Sequence, residues 1–382
     1  MTQPSTVNMT FDTSLVDLAQ ESPHTQEMQK HAQDHPPEPN INVSFSTTEP
    51  DSEEDRRRIQ PQPPPTDTPS KTSIPPKIST PIQHLPTKDA YDAWASVYDT
   101  DGNMLQAIDD LELERLLPDF LDRVVSACTS TSTSIPEAPS AEEQEISIID
   151  LGCGTGRNTA KLTAYAWPTG RKIRITGLDL SEGMLEIARR KLDSFLAKEK
   201  DGEMGQRDVM LRLEQCNCFP TFRPESGKEE LKENDKETVH GDEDEDVDIS
   251  PIPQASGPPL RPASAILSTL LLEHIPLTPF FATLTSLLQP HGHALITNMH
   301  SDMGVISQAG FVNEAGVKVR PDSWAHTLEE TVKVARDCGF EVLGRWEREV
   351  RREDVEGGRV GRRGGKWVGV RVWYGVLLRR GG

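Results

Sequence analysis

Cysteine is scarce in this chain: five residues in 382, odd in number and scattered at Cys128, Cys153, Cys216, Cys218 and Cys338. That excludes a closed disulfide framework and fits a reducing compartment. Long apolar runs are missing too. The densest block, AILSTLLLEHI at Ala265–Ile275, falls short of the roughly 20 apolar residues a membrane helix needs and carries a Glu and a His. A soluble chain without a membrane partner is expected. Aromatic residues make up 5% and hydrophobic residues 35%, against 30 prolines and a formal net charge of -20. Such a chain cannot bury a core along its whole length, so one folded domain with disordered additions is expected. The first twenty residues, MTQPSTVNMTFDTSLVDLAQ, lack a basic start and an apolar stretch and carry acids. Neither export nor organelle import is expected. The cytoplasm is the expected site, with the nucleus open, since DRRRI at Asp55–Ile59 is a short basic cluster. A concentrated basic face, which DNA binding requires, is also lacking. Only between Arg345 and Arg380 do arginines recur, either as solvated faces of a sheet edge or as an RNA-binding surface.

From Met1 to about Leu85 the chain is Pro, Ser, Thr, Gln and acid, including PQPPP at Pro61–Pro65, and a disordered tail is expected there (1–85). The folded domain is placed at 86–382. In its first segment Leu105, Ile108, Leu111, Leu116, Leu117, Phe120 and Val124 recur at helical spacing, which predicts one or two helices. A Ser/Thr/Pro run follows, and a flexible loop is expected at 129–145. Elements then alternate. EISIIDLG, RKIRITGLDL and DVMLRLEQCNC read as strands; RNTAKLTAYAW and SEGMLEIARRKLDSFLAKE read as helices, the second opened by Ser181 as N-cap. The segment 223–262, which contains KEELKENDKETVHGDEDEDVDIS, predicts a disordered acidic insertion. The core resumes with ASAILSTLLLEHI as a strand and its exit loop, a helix closed by Pro290 and Gly292, and HALITNMH as a strand. A helix over SWAHTLEETVKVARDCGF and two final strands complete the pattern. The fourteen or so residues between those strands hold no crossover helix, so they should pair as an antiparallel hairpin. Strand and helix taking turns at this spacing predicts an α/β fold with helices on both faces of a mostly parallel sheet.

The junction DLGCGTGRNT at Asp150–Thr159 carries the chemistry. A strand ending in Gly152-x-Gly154-x-Gly156 and opening a helix lets a ligand approach the backbone and is expected to point free N–H groups at it. A triphosphate loop would need Lys and Ser/Thr after the glycines, where this chain has GRNT. A dinucleotide fingerprint would need its third glycine at Arg157. What remains is acid-x-Gly-x-Gly-x-Gly, followed by a second acid, Asp179, at the end of the next strand.

In DLGCGTGRNT and GLDLSEGMLEIARRK (Gly177–Lys191) the chain resembles the class I S-adenosylmethionine-dependent methyltransferases, over about Asp89–Leu378 without the insertion. The resemblance implies a Rossmann-like sheet of seven strands whose last is antiparallel, and S-adenosyl-L-methionine as cofactor. It places Asp150 and the glycine turn on the methionyl part and Asp179 on the ribose hydroxyls. Asn217 stands where the family usually has the acid that receives the adenine amino group, with Phe219 beside the ring. Tyr91, Trp94 and Tyr98 of YDAWASVYD would cover the cofactor and wall the substrate site. Loss of a proton by the methyl acceptor requires a base; His274, His300 and His326 are the catalytic candidates, with Glu273 and Asp302 beside them. Metal is not expected, since Cys216 and Cys218 have no second pair. The loop STLLLEHIP lacks the Asn-Pro-Pro-Tyr type of motif of nucleic-acid and protein-amide members. HSDMGVISQAGFVNEAGVKVRPDSWAHTLEE resembles a segment of the small-molecule, methyltransferase type 11 group and is expected to form a mobile cap. A small-molecule substrate methylated on oxygen, or second on nitrogen, is expected. An RNA- or protein-directed methyltransferase and a non-catalytic interaction protein of the same fold stand as alternatives.

Overall fold

A computed structural model of the protein describes residues 81–130, 145–200, 208–219 and 252–382. The expected tail as far as residue 80, the loop at 131–144 and the insertion at 223–251 lie outside the described residues.

In chain order the elements are β1 (Ile82–His84), α1 (Thr87–Trp94), α2 (Met104–Ser130), β2 (Glu145–Leu151), α3 (Arg157–Ala164), β3 (Lys172–Asp179), α4 (Glu182–Lys200), β4 (Val209–Gln215) and β5 (Ala263–Thr269). There follow α5 (Leu277–Leu287), β6 (Leu288–Met299), α6 (Ser301–Gly304), β7 (Phe311–Val312), β8 (Lys318–Arg320), α7 (Leu328–Asp337), β9 (Phe340–Glu349), α8 (Arg352–Glu356) and β10 (Arg371–Arg380). β2 shows why the centre forms. The pleat sends Ile146 and Ile148 into one apolar cluster and Ile149 and Leu151 into the other, so both faces must be covered. α1 and α2, with Leu162 of α3 and Met184 of α4, cover the first face, and α5 and α7 cover the second.

The main sheet has seven strands in the order β4-β3-β2-β5-β6-β10-β9. β10 runs antiparallel to both neighbours, and the pairs β2–β3, β3–β4, β2–β5 and β5–β6 are parallel. This is the Rossmann-like α/β sheet the pattern predicts. The order reverses between β2 and β5, and in open α/β sheets ligands sit at that switch point, outside the carboxyl ends of the strands. A polar knot holds α2 against this frame. Asp109, fully buried, accepts from Arg157 (2.6 Å), from the Thr297 hydroxyl (2.6 Å) and from the Trp373 indole (2.8 Å).

Some boundaries differ from expectation. Ile82–His84, assigned to the tail, pairs in parallel with Lys318–Arg320, so order begins before residue 86. β8 also pairs with β7, giving a separate three-stranded sheet. The helix α2 continues through Pro118 to Ser130, past the start set for the loop. At the end of the insertion, Ala255 bridges Cys216 and Ser256 N–H donates to the Gln215 carbonyl, tying residues before 262 to the end of β4. Pro290 and Gly292 do not close a helix. α5 stops at Leu287 because Leu288 turns extended; Pro290 lies in the exposed start of β6, where a missing N–H costs nothing, and Gly292 after it is buried. The last two strands pair antiparallel as expected, with only the one-turn α8 and a 3₁₀ stretch at Arg362–Trp367 between them.

Candidate active site

The glycine turn adopts the conformation its sequence requires: Gly152, Gly154 and Gly156 all have left-handed φ, at 75°, 53° and 76°. Its N–H groups, however, point inward. Gly152 and Cys153 donate to the Leu178 carbonyl, Gly156 donates to Cys153, and Gly154 donates to Asp179 Oδ2 at 2.8 Å. The expected row of free donors is therefore absent at these residues; the turn contributes shape instead. A Cβ on Gly154 would meet no atom within 4 Å, leaving open space above the backbone. Gly156 is a packing residue rather than a ligand contact. It caps α3, and a Cβ there would stand 3.1 Å from Ala188 Cβ.

Asp179 closes β3 and is fixed by its neighbours. Oδ1 accepts from Ser181 N–H and Oδ2 from Gly154 N–H, both at 2.8 Å. Burial pushes its carboxyl up to about 6, and those two donors restrain the rise. Each oxygen keeps a further acceptor site. Asp150 is placed differently from expectation. It is buried, its Oδ2 accepts from the Thr159 hydroxyl at 2.6 Å, and it does not line the cavity described next. Its Oδ1 has no hydrogen-bond partner among the described residues, and burial lifts its carboxyl to about 6. Asp150 sits beneath the turn because an even-numbered residue of β2 faces the α2 side of the sheet.

A cavity of about 280 Å³ opens at the carboxyl ends of β2, β3, β4 and β5. Gly152, Gly154 and Asp179 form its floor, Asn217 and Phe219 one end, and Tyr91, Tyr98 and His274 a wall. Asn217 Oδ1 accepts from Phe219 N–H at 3.1 Å, which turns this loop toward the cavity. The Tyr91 hydroxyl donates to His274 Nε2 at 2.7 Å, and His274 Nδ1 donates to the Asp322 carbonyl at 2.6 Å. Burial lowers the imidazole to about 4 and lifts the neighbouring Glu273 carboxyl to about 8.

Three candidates do not reach the cavity. His300 accepts from Asp302 N–H as the N-cap of α6 and donates Nε2–H to Glu347 at 2.8 Å. His326 donates to the Ile275 carbonyl at 2.8 Å, joining the start of α7 to the turn after β5. Both rings are consumed by structural bonds. Trp94 is fully buried, donates to Asp101 Oδ2 and stacks on Phe311, so it belongs to the core.

Other residues of the cavity carry no signal in the sequence. Leu270, in left-handed conformation at φ 53° without being glycine, turns the chain out of β5 into the cavity wall. Asp322 comes from the segment expected to form a cap, and Lys88, bonded to Asp92 at 2.5 Å, from the start of α1. Asp92 also accepts from the Ser181 hydroxyl (2.6 Å) and Gly183 N–H (3.0 Å), and Asp99 accepts from the Thr155 hydroxyl (2.6 Å) and pairs with Lys191 (2.7 Å). These acids fasten α1 and the residues after it over the glycine turn. YDAWASVYD thus carries anchors as well as aromatics.

A family model described as a methyltransferase domain matches residues 148–209, from β2 into β4. An uncharacterized methyltransferase of Emericella nidulans is 39% identical over 305 residues, which is 77% of this chain and 91% of that protein. The chain belongs to the class I S-adenosylmethionine-dependent methyltransferases. A trans-aconitate 2-methyltransferase of Escherichia coli is 40% identical over 78 residues, 20% of this chain and 29% of its own. Among solved structures, an S-adenosylmethionine-dependent methyltransferase from Mesorhizobium loti is 17% identical, covers 64% of this chain and 94% of its own, and superposes with a TM-score of 0.37. The methyltransferase has, in its own residues, what its cofactor requires: open space over Gly154, a carboxylate with free acceptor sites at the end of β3, and an aromatic and amide end at Asn217–Phe219.

Proposed function

We propose that this methyltransferase transfers a methyl group to an oxygen, or second to a nitrogen, of a small organic molecule held in the cavity above β2–β5. One observation carries the reading. The cavity joins Asp179 and the glycine turn to a wall that contains one buried, neutral histidine bonded to the Tyr91 hydroxyl. Its volume of about 280 Å³ is just below the roughly 300–1,000 Å³ usual for small-molecule sites.

Asp179 would hold the ribose hydroxyls, Asn217 the adenine amino group, and Phe219, Tyr91 and Tyr98 would pack over the cofactor. Bound there, S-adenosylmethionine supplies a methyl group on a positively charged sulfur. The remaining work falls to the chain: aligning the acceptor, excluding water, and receiving a proton at His274. Four of the arginines near the C-terminus are already paired with acids of the chain, which weighs against an RNA substrate. Arg348 pairs with Glu112 and Asp354, Arg359 with Asp354, Arg371 with Asp302 and Glu347, and Arg379 with Glu341.

Calorimetric titration of the full chain with S-adenosylmethionine, and separately with NADH, tests the cofactor. Saturable micromolar binding of the first alone is expected, followed by methylation within a panel of small phenols, acids and amines. Binding of neither compound would overturn the site assignment.

A further inference from the structure

The contact between Tyr91 and His274 fixes where protons lie in the cavity wall. A backbone carbonyl only accepts, so the 2.6 Å bond to Asp322 places a proton on His274 Nδ1. Burial holds the imidazole down at about 4, so near neutral pH its Nε2 carries a lone pair. The Tyr91 hydroxyl must then be the donor in the 2.7 Å bond. Its proton is spent on His274, and its oxygen offers only lone pairs to whatever enters the cavity. Such a group pairs with a ligand that brings a proton and disfavours one that brings only acceptors. Behind this pair stands Glu273, 2% exposed, with Oε1 3.8 Å from His274 Nε2 and Oε2 without a hydrogen-bond partner among the described residues. A buried carboxyl with an unused oxygen is unfavourable beside a neutral ring. Burial lifts that carboxyl to about 8, so near neutral pH it keeps its proton and is neutral as well.

We propose that Tyr91 is a catalytic residue: its oxygen takes the proton of the acceptor's O–H or N–H while its own hydroxyl proton passes to His274 Nε2. The acceptor is therefore protic, a phenol or alcohol before an amine, and not a carboxylate, which is ionised near neutral pH and brings no proton. This rests on the small-molecule reading above and adds the acceptor class and the proton's route. The balance is complete. The acceptor atom forms its bond to the methyl carbon as the carbon–sulfur bond breaks and its electron pair returns to sulfur. One proton leaves the acceptor for Tyr91, one leaves Tyr91 for His274, and the imidazolium then donates Nδ1–H to the Asp322 carbonyl and Nε2–H to the Tyr91 oxygen.

Two measurements on the full chain test this. In the first, ¹⁵N-histidine-labelled protein is observed by NMR at pH 7, with His274→Gln to assign the signal. A neutral ring protonated on Nδ1 is expected, whereas a ring protonated on Nε2 would overturn the proposal without any substrate being known. In the second, S-adenosylhomocysteine affinity and methyl transfer to a panel of phenols, alcohols, carboxylic acids, amines and thioethers are compared for wild type, Tyr91→Phe, His274→Gln and the double variant. Affinity should hold within about threefold in Tyr91→Phe, while turnover of protic acceptors falls ~100-fold or more, as loss of a proton-transfer group does. The double variant should be no slower than the slower single one, as for two residues in one relay. A loss confined to His274→Gln overturns the role of Tyr91. Turnover of thioethers or carboxylic acids alone, or of no panel member although S-adenosylhomocysteine binds, overturns the protic acceptor. Failure to bind S-adenosylhomocysteine at all would instead overturn the cofactor site on which the proposal rests.

Discussion

Truncating Asp179 separates its two roles. In the free protein its oxygens satisfy the N–H groups of Gly154 and Ser181, both at 2.8 Å. Asp179→Ala leaves two inward donors unpaired, at about 1–3 kcal/mol each. It also removes a carboxyl that burial has pushed from 3.8 to about 6, and keeping that group charged at pH 7 costs about 3 kcal/mol. The two effects oppose each other, so the stability change of the variant should lie between about 1 kcal/mol gained and about 3 kcal/mol lost. Cofactor binding has no such offset. Two hydrogen bonds from ribose hydroxyls to a charged acceptor are lost, at about 1.5–3 kcal/mol each, which amounts to 100-fold or more in affinity. Calorimetry with S-adenosylhomocysteine reads the affinity, and thermal unfolding of the free variant reads the stability. In wild type the bound state holds Asp179 ionised, so affinity should be full above pH 6 and fall as pH drops below it. Asp179→Asn, with one acceptor oxygen, should bind at an intermediate level and lose that dependence. A change below about fivefold in Asp179→Ala with the fold intact would refute the ribose assignment.

Gly156→Ala forces a left-handed alanine and a Cβ 3.1 Å from Ala188; denaturant unfolding should show a loss of about 2–3 kcal/mol, with S-adenosylhomocysteine affinity changed far less than in Asp179→Ala. Asp109→Ala strips the acceptor from Thr297 and Trp373 and one of two carboxylates from Arg157 in one step, and a loss of about 3–5 kcal/mol in urea unfolding is expected; a loss under 1 kcal/mol would deny the knot its role in holding α2. Burial raises Glu273 from its ordinary 4.5 to about 8, so the stability tied to its proton is full at low pH and lost as pH rises toward 8. His274, lowered to about 4, acts in the opposite sense but only below 6.5, and Asp150 and Asp179 finish near 6. Unfolding free energy should therefore fall from pH 6.5 to 8.5 with Glu273 leading, and Glu273→Gln should flatten that slope; an unchanged slope would place the cause elsewhere.

The sequence by itself determined the sheet and its ligand edge. Alternating strands and helices, a hairpin too short for a crossover, and DLGCGTGRNT ahead of a second acid follow local rules of periodicity, turn chemistry and spacing, and these place Gly152, Gly154 and Asp179 in the cavity, while the family resemblance added Asn217. It also named Tyr91, Tyr98 and His274. Local rules could not say which of three histidines lines the cavity, because His300 is claimed by Glu347 and His326 by Ile275, partners 47 and 51 residues away. Nor could they show that the N–H groups of Gly152, Cys153 and Gly154 are taken by Leu178 and Asp179 on the next strand. The bond between Tyr91 and His274 spans 183 residues and arises only when α1 folds over the turn after β5. Spacing along the chain fixes what one element presents; which groups meet and share a proton is decided when elements distant in sequence pack together.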